Sequence, residues 1–265
     1  MTRRKTTSLS LDELANKHLG FDELRPGQQA GLSTLLAGRD TLVVMPTGGG
    51  KSAIYQMAAL LIPGVTIVVS PLIALQRDQA QAIDGQDVGS AVVLNSTLGK
   101  GAREEALTKL ESGEIEFLFL APEQLANPDT LARVQAAKPS LFVVDEAHCI
   151  SDWGHDFRPD YLGLGAVIEA LGHPRVLALT ATAAPPIRQE IAERLGMVDP
   201  AILVQGFDRP NIDLSVERCP DKTRKHAALL ERVGAAAKPG IVYAATRKHA
   251  EELAGLFCDG GLRAA

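Results

Sequence analysis

Short runs of apolar, largely β-branched residues alternate with longer stretches of helical periodicity along most of the chain. The apolar runs are nearly continuous, which is typical of strands buried on both faces of a parallel sheet. This alternation predicts an α/β fold with a doubly wound, mostly parallel sheet flanked by helices. The predicted strands are Thr41–Met45, Val65–Val69, Glu116–Leu120, Leu141–Val144 and Val176–Leu179. The predicted helices lie at about 51–61, 72–82, 101–111, 160–171 and 186–195.

The pattern breaks near Gly206–Pro210, where we place a domain boundary. We assign residues 1–206 to a first domain, and residues 207–265 to a linker and the start of a second domain. The second stretch predicts a helix at about 222–235, a strand at Gly240–Ala244 and a helix at about 247–258. We expect this second domain to be incomplete, because so short a segment buries too little surface for a secure core.

Composition and charge narrow the class of protein. No stretch approaches the roughly 20 apolar residues of a membrane span, and the basic N-terminus lacks the apolar core of a signal peptide. We therefore expect a cytoplasmic protein, associated with the nucleoid if it is bacterial, without membrane contact. The net charge is −5, so any contact with nucleic acid is expected to be local. Cys149, Cys219 and Cys258 are isolated, which predicts reduced thiols and no zinc site.

The segment MPTGGGKS (45–52) follows a predicted strand and opens a predicted helix, as a phosphate-binding loop requires. Its backbone N–H groups can wrap a phosphate, and its glycines allow close approach. We expect Lys51 to reach the β- and γ-phosphates and the Ser52 hydroxyl to bind Mg²⁺. The general pattern has glycine where this chain has Met45, so a plain glycine turn is the alternative. The predicted nucleotide-binding residues of the loop are Thr47, Gly48, Gly49, Gly50, Lys51 and Ser52.

The sequence DEAH (145–148) ends another predicted strand. Asp145 can hold Mg²⁺ through water, and Glu146 is placed to orient or deprotonate an attacking water. Two carboxylates after a strand are by themselves equally consistent with a solvated surface. If the same sheet also carries the lysine loop, the two carboxylates predict an ATP–magnesium site. His148 is a candidate link between the γ-phosphate and the second domain, although a lone histidine is more often structural.

Nine segments follow one another along the chain: GFDELRPGQ (20–28), MPTGGGKS (45–52), VVSPLIALQRDQ (68–79), LNST (94–97), FLAPEQL (119–125), VVDEAHCISDWGHDFRPDY (143–161), ALTATA (178–183), FDRPNI (207–212) and GIVYAATR (240–247). In this order they resemble superfamily 2 helicases and, within them, the RecQ family of DNA helicases. In that superfamily Met45 is ordinary. The resemblance covers nearly the whole chain and implies a RecA-like P-loop NTPase domain, ATP and Mg²⁺ as cofactors, and single-stranded or partly duplex DNA as partner. The implied activity is ATP-dependent 3′→5′ unwinding in recombination and repair.

The resemblance also implies roles for residues outside the two phosphate-site motifs. Phe21 would stack on adenine, with Arg25 and Gln28 at its edge; a simple helix-start turn at RPG is compatible with this. Ser70 and Pro71 would contact the DNA backbone. Thr180-Ala181-Thr182 would link the ATP and DNA sites, because ligands bind at the carboxyl ends of such strands.

The segment SDWGHDFRPDY distinguishes the RecQ type from DEAH-box RNA helicases, together with RPGQ. This aromatic-rich segment (151–161) places Trp153, His155, Phe157, Arg158 and Tyr161 within nine positions of a chain with 4% aromatic residues. By resemblance, this loop senses single-stranded DNA and signals to the ATP site. Aromatic faces stack on bases at about 1–3 kcal/mol each, and the arginine adds phosphate or cation–π contact. The alternative is a packed surface loop with a core tryptophan.

In the family this chain resembles, ATP binds between two RecA-like domains, and the second supplies an arginine from a motif downstream of the segments found here. Such an arginine is worth about 10³–10⁵ in rate. We therefore expect this chain to bind ATP and DNA but to hydrolyse ATP poorly alone. The alternative from another class is a stand-alone ATP- and DNA-binding module without motor activity.

Overall fold

The computed structural model describes residues 10–86, 88–152, 156–206, 212–237 and 239–265. The chain divides into two compact units, Met1–Asp208 and Arg209–Ala265. The segment 207–211, which contains our predicted domain boundary, lies outside the described residues. Among the residues described, no helix is both long and apolar enough to cross a membrane.

The first unit is built on a seven-stranded sheet of order β3-β4-β2-β5-β6-β1-β7, in which each neighbouring pair is parallel. The predicted α/β architecture is therefore confirmed. A parallel sheet of this kind needs crossover connections, and helices supply them. The strands are β1 (Thr41–Val44), β2 (Thr66–Val69), β3 (Ala91–Leu94), β4 (Phe117–Leu120), β5 (Leu141–Val144), β6 (Arg175–Thr180) and β7 (Ala201–Val204).

Helices cover both faces of the sheet. Two apolar clusters lie on opposite faces, so that Phe142 of β5 belongs to one and its neighbour Val143 to the other. All residues of β1, β2, β4 and β5 are buried, which explains why their sequences are continuous apolar runs. The helices of this unit are α1 (Leu11–Leu19), α2 (Pro26–Leu36), α3 (Ser52–Leu61), α4 (Ile73–Asp84), α5 (Lys100–Ser112), α6 (Pro128–Ala136), α7 (Leu164–Ala170) and α8 (Pro185–Arg194).

Several elements of the first unit escaped the sequence prediction. Strands β3 and β7 are short apolar runs, AVVL and AILV, that were not predicted as strands; they lie at the two edges of the sheet and are only partly buried. Helix α1 has a signal that could have found it, a capping box in which Ser10 Oγ accepts from Glu13 N at 3.2 Å. The helix predicted at 160–171 instead starts as a 3₁₀ turn at Pro159–Gly163 and becomes α-helical only in α7.

The second unit contains α9 (Lys222–Ala235) and α10 (Arg247–Asp259), both as predicted. The strand predicted at Gly240–Ala244 is wrong, because this segment has no strand structure. A strand requires a hydrogen-bonded neighbour, and the described part of this unit offers it none. The apolar side chains of the segment are correspondingly exposed, with Tyr243 at 90%.

Candidate nucleotide and nucleic-acid site

The phosphate loop leaves the carboxyl end of β1 and leads into α3. Met45 N donates to the carbonyl oxygen of Thr180 at 3.0 Å, so the loop starts at the edge where β1 and β6 lie side by side. Gly48 and Gly50 both have φ of +77°, a left-handed backbone that glycine adopts without strain. Gly49 N donates back to Pro46 O at 2.9 Å and tightens the turn. The predicted strand–loop–helix context is present.

Side chains from the start of α2 brace this loop. Arg25 Nη1 donates to Gly48 O at 2.7 Å, and Gln28 Nε2 donates to Gly50 O at 2.9 Å. Gln28 Oε1 accepts from Arg25 N at 2.8 Å, so both ends of its amide are occupied and the residue is 3% exposed. A β-carbon on Gly50 would overlap Gln28 Nε2, which explains the glycine there. The structure thus brings RPGQ and the phosphate loop together, while their contact with adenine stays a prediction.

Lys51 lies at the N-terminal end of α3, with its side chain folded back over the loop. Its Nζ donates to the carbonyl oxygen of Met45 at 3.2 Å. Ser52 begins the helix, and its hydroxyl is therefore at the positive end of the helix dipole. Phe21, the predicted adenine-stacking residue, is 38% exposed and free to meet a ligand face.

Asp145 follows β5, and its backbone N donates to Val69 O at the end of β2 at 2.8 Å. The carboxyl group is buried, and this burial raises its pKa to about 6, with the charge of Glu146 adding to the shift. The Glu146 backbone N–H and the Lys51 charge oppose the shift. Asp145 and Lys51 therefore act on each other across the carboxyl edge of the sheet. A buried carboxylate of this kind is costly to keep charged unless a cation joins it.

Glu146 has a left-handed backbone with φ of +49°, which is uncommon for a residue with a side chain. Such a conformation costs on the order of 1–3 kcal/mol and tends to be retained at functional sites. The turn is held by the Tyr161 hydroxyl, which donates to Asp145 O at 2.9 Å, and by Cys149 N, which donates to Glu146 O at 2.9 Å. This turn fixes the direction in which the Glu146 carboxylate leaves the strand.

His148 joins three parts of the site. Its Nδ1 lies 2.9 Å from Thr180 Oγ1 and 3.4 Å from Glu146 Oε2, while its Nε2 lies 3.8 Å from Asp156 Oδ2. The Thr180 hydroxyl also donates to Thr182 O at 3.1 Å. The DEAH turn, the end of β6 and the aromatic-rich segment thus meet at one imidazole.

Trp153 and His155 of the predicted DNA-sensing segment lie outside the described residues. Arg158 is anchored at the far end of the segment: its N donates to Cys149 O at 2.9 Å and its Nη1 donates to Pro71 O at 3.3 Å. Phe157 beside it is partly exposed. Two predicted DNA-contacting segments, the one with Pro71 and the one with Arg158, are therefore neighbours in space.

Ser70 is less accessible than a side-chain contact with DNA would require. It is 1% exposed, and in the described part of the structure its hydroxyl has no hydrogen-bond partner. Its carbonyl oxygen accepts from Gln76 Nε2 at 2.7 Å. Gln76 and Arg77 also lie within a segment that resembles RecQ helicases, although the sequence assigned no role to either residue. Arg77 Nη2 donates to Thr97 Oγ1 at 2.6 Å, and this bond joins α4 to the LNST segment.

A lysine-bearing loop and a buried aspartate at the carboxyl edge of a parallel sheet define the class of nucleoside-triphosphate-binding α/β domains. Residues 25–190 match the family model of the DEAD/DEAH box helicases, which is more than half of the chain. This chain belongs to the DEAD/DEAH box helicase family.

Curated relatives confirm the resemblance to RecQ-type helicases. The chain is 42% identical over 245 residues to the probable ATP-dependent DNA helicase RecS of Bacillus subtilis, which covers 92% of this chain and 49% of that protein. It is 37% identical to the ATP-dependent DNA helicase RecQ of Pasteurella multocida, covering 92% of this chain and 38% of that protein. The chain thus spans about half or less of the length of these relatives.

Solved structures share the fold. The helicase MrfA superposes with a TM-score of 0.68 at 19% identity, over 98% of this chain and 41% of that one. A hypothetical ATP-dependent RNA helicase from Sulfolobus tokodaii gives a TM-score of 0.60 at 19% identity, over 93% of this chain and 72% of that one. At this identity the likeness concerns the fold alone.

Proposed function

We propose that these residues form the ATP-binding part of an ATP-dependent DNA helicase of the RecQ type, which unwinds DNA 3′→5′ in recombination and repair. The observation that carries the proposal is that the lysine loop after β1 and Asp145 after β5 leave the carboxyl ends of strands in one parallel sheet. His148, three residues after Asp145, lies 3.8 Å from Asp156 of the aromatic-rich segment. The proposed partner is single-stranded or partly duplex DNA, and the proposed location is the cytoplasm or the bacterial nucleoid.

ATP would bind on the phosphate loop. Backbone N–H groups of the stretch 47–52 other than that of Gly49, which donates to Pro46 O, would face the phosphates. The Lys51 ammonium would exchange its contact with Met45 O for phosphate oxygens. Phe21 would stack on the base. Arg25 and Gln28 already hold the loop carbonyls, and Gln28 is buried with both ends of its amide engaged. A base contact by Gln28 would therefore require its amide to leave a present partner, and this would alter the phosphate loop.

The residues present fit a magnesium ion. Within the described ranges, no group of three or more histidine, cysteine, aspartate or glutamate side chains is arranged to hold a metal by itself. Mg²⁺ is typically held through one or two carboxylates together with substrate phosphates. Asp145, whose burial makes its charge costly, and the Ser52 hydroxyl would hold it. The ion would neutralise charge on the phosphates during transfer.

Glu146 and His148 would act on the hydrolytic water and its surroundings. The strained turn at Glu146 holds its carboxylate beyond the strand end, where it can orient a water and accept its proton. The His148 ring, which is close to both Glu146 and Thr180, would orient that carboxylate. Through Thr180, the ring would transmit a change in the position of the carboxylate to the end of β6.

A second candidate is a module that binds ATP and DNA without motor activity. It is favoured by the second unit, whose described residues form two helices and no strand. The two candidates differ in turnover, since the family resemblance assigns to a second RecA-like domain an arginine worth about 10³–10⁵ in rate.

The purified 265-residue chain is expected to bind ATP with Mg²⁺ but to release phosphate at least about 10³-fold more slowly than full-length RecS under the same conditions. Titration calorimetry measures the binding, and a phosphate-release assay with and without oligothymidine measures turnover. Glu146→Gln gives the background rate. Robust DNA-stimulated turnover would show that these residues suffice for catalysis, and absence of ATP binding would refute the proposed function itself.

Trp153→Ala is expected to weaken binding of single-stranded DNA by about tenfold while leaving ATP affinity unchanged, because one stacked base contributes about 1–3 kcal/mol. Fluorescence anisotropy of a labelled oligothymidine measures the first quantity and calorimetry the second. Leu162→Ala, which alters an exposed apolar residue nine positions further along the chain, is the control. Equal DNA affinity in Trp153→Ala and the unaltered chain would favour the packed-loop interpretation.

A further inference from the structure

Helix α8 holds the beginning of the aromatic-rich segment by a cluster of polar contacts. Glu190 Oε2 accepts from the Ser151 hydroxyl at 2.5 Å, and Ser151 is fully buried. Arg194, one helical turn further on, pairs with Glu190 Oε1 at 2.8 Å and with Asp152 Oδ2 at 3.2 Å. Both carboxylate oxygens of Glu190 are thereby engaged, and both residues immediately before Trp153 are attached to one helix.

This cluster differs from an ordinary surface ion pair because it is partly buried. Surface pairs contribute little because their side chains are mobile and solvated. Here the Ser151 hydroxyl is buried, and the side chain of Glu190 is only 20% exposed. Charge-assisted hydrogen bonds in such surroundings are shorter and stronger than neutral ones.

Helix α8 also contacts the end of β6, which borders the candidate ATP site. Helix α8 follows directly on the Thr180–Ala183 segment that ends β6, and Arg188 Nε donates back to Ala183 O at 2.8 Å. Ile191 of α8 packs in the apolar cluster that contains Cys149 and Ile150 of the turn after DEAH. Helix α8 therefore contacts both the end of β6 and the turn that leads into the aromatic-rich segment.

We propose that Glu190 is a positioning residue that transmits a movement at the end of β6 to the aromatic-rich segment. It does so by holding Ser151 directly and Asp152 through Arg194. This inference rests on the proposed function, since it assumes that ATP and DNA bind at these two places. The contact from His148 to Asp156 reaches the segment after Trp153 in the sequence, whereas Ser151 and Asp152 precede it, so two connections enter the segment. In the described structure the contacts of Glu190 are with Ser151 and Arg194, so its removal is expected to leave the phosphate-loop contacts in place.

The test measures coupling between ligands in the whole 265-residue chain. The affinity for a fluorescein-labelled oligothymidine is determined with and without a non-hydrolysable ATP analogue and Mg²⁺, and the ratio of the two affinities is the coupling factor. Couplings between sites typically lie at about 5–150-fold. Glu190→Ala is expected to bring this factor close to one while the affinity for the ATP analogue alone is unchanged. Glu190→Gln, which keeps an acceptor for Ser151 but loses the charge that Arg194 pairs with, is expected to give an intermediate factor.

Two further variants make the test specific. Glu193→Ala removes an exposed carboxylate from the same helix, one that pairs with Gln189 and not with the turn, and should retain the coupling factor of the unaltered chain. Ser151→Ala removes one of the two contacts of Glu190 and should lower the coupling factor partway, and the double variant Glu190→Ala with Ser151→Ala should lose no more than Glu190→Ala alone, as expected for two residues in one contact.

The outcomes are distinguishable. If the unaltered chain couples the two ligands and Glu190→Ala does so equally, or if Glu193→Ala loses as much, the positioning role is refuted while the proposed function stands. If the unaltered chain binds neither ligand, the proposed function fails and this inference fails with it. Thermal unfolding of each variant shows whether the fold is retained, and Glu190→Gln provides the decisive comparison should the alanine variant unfold.

Discussion

Lys51→Ala is expected to weaken the binding of ATP with Mg²⁺ by about 10- to 100-fold. A hydrogen bond to a charged group contributes about 1.5–3 kcal/mol, and each 1.4 kcal/mol is a factor of ten in affinity. In the structure Lys51 Nζ lies over the phosphate loop, held by the carbonyl oxygen of Met45 at 3.2 Å, so it needs little rearrangement to meet a phosphate. Titration calorimetry or competition with a fluorescent ATP analogue gives the affinity.

The stability of the fold should be little affected by this change. The contact that Lys51 makes with Met45 O is a single hydrogen bond at the loop, and the loop keeps the braces from Arg25 and Gln28. Lys100→Ala, which removes an exposed lysine at the start of α5, is the matched control and should bind ATP as the unaltered chain does. Unchanged ATP affinity in Lys51→Ala would refute the assignment of MPTGGGKS as the phosphate loop.

Asp40→Ala is expected to lower the free energy of unfolding of the first unit by about 3–5 kcal/mol. Asp40 is buried, and its carboxylate accepts from Val176 N at 2.9 Å and from Val198 N at 2.8 Å. Its own carbonyl oxygen accepts from Ala201 N at 2.8 Å, so one residue joins the starts of β1, β6 and β7. Alanine would leave two backbone N–H groups without their acceptor, each worth about 1.5–3 kcal/mol when the acceptor is charged.

Urea unfolding followed by circular dichroism measures the loss, with the midpoint falling and the slope unchanged. Asp40→Asn should lose less, because the amide oxygen can still accept one of the two N–H groups while the NH₂ group cannot accept the other. Asp78→Ala, at an exposed position on α4, should change stability by no more than about 0.5 kcal/mol. An Asp40→Ala chain as stable as the Asp78→Ala chain would show that solvent replaces the lost acceptor.

Particular segments of the sequence predicted the fold well and marked the candidate phosphate site, for a physical reason. Central strands of a parallel sheet are buried on both faces, so TLVV and LFVV stand out as continuous apolar runs. Ligands bind at the carboxyl ends of such strands, and the polar residues that follow these runs, in MPTGGGKS and DEAH, are therefore the candidate site. The resemblance of the nine segments to RecQ helicases then placed the candidate DNA-contacting residues.

Other features depend on neighbours that the local sequence does not specify. The edge strands β3 and β7 form because β4 and β1 offer them hydrogen-bonding partners, whereas the apolar segment Gly240–Ala244 has no such partner in the described structure and forms no strand. The local pattern of apolar residues is similar in both cases. The presence of a partner strand decides the outcome, because backbone hydrogen bonds in a sheet are made between segments.

The α/β class, the central strands and the RecQ-type resemblance followed from the sequence, because these depend on short-range periodicity and contiguous motifs. The same motifs marked the candidate phosphate loop and the DEAH turn. Only the tertiary structure showed that Gln28 braces Gly50, that Asp40 joins three strand starts, and that Glu190 holds Ser151. Those contacts join residues 22, 136 and 39 positions apart. Their partners are fixed by the packing of whole helices and strands, which no local pattern encodes.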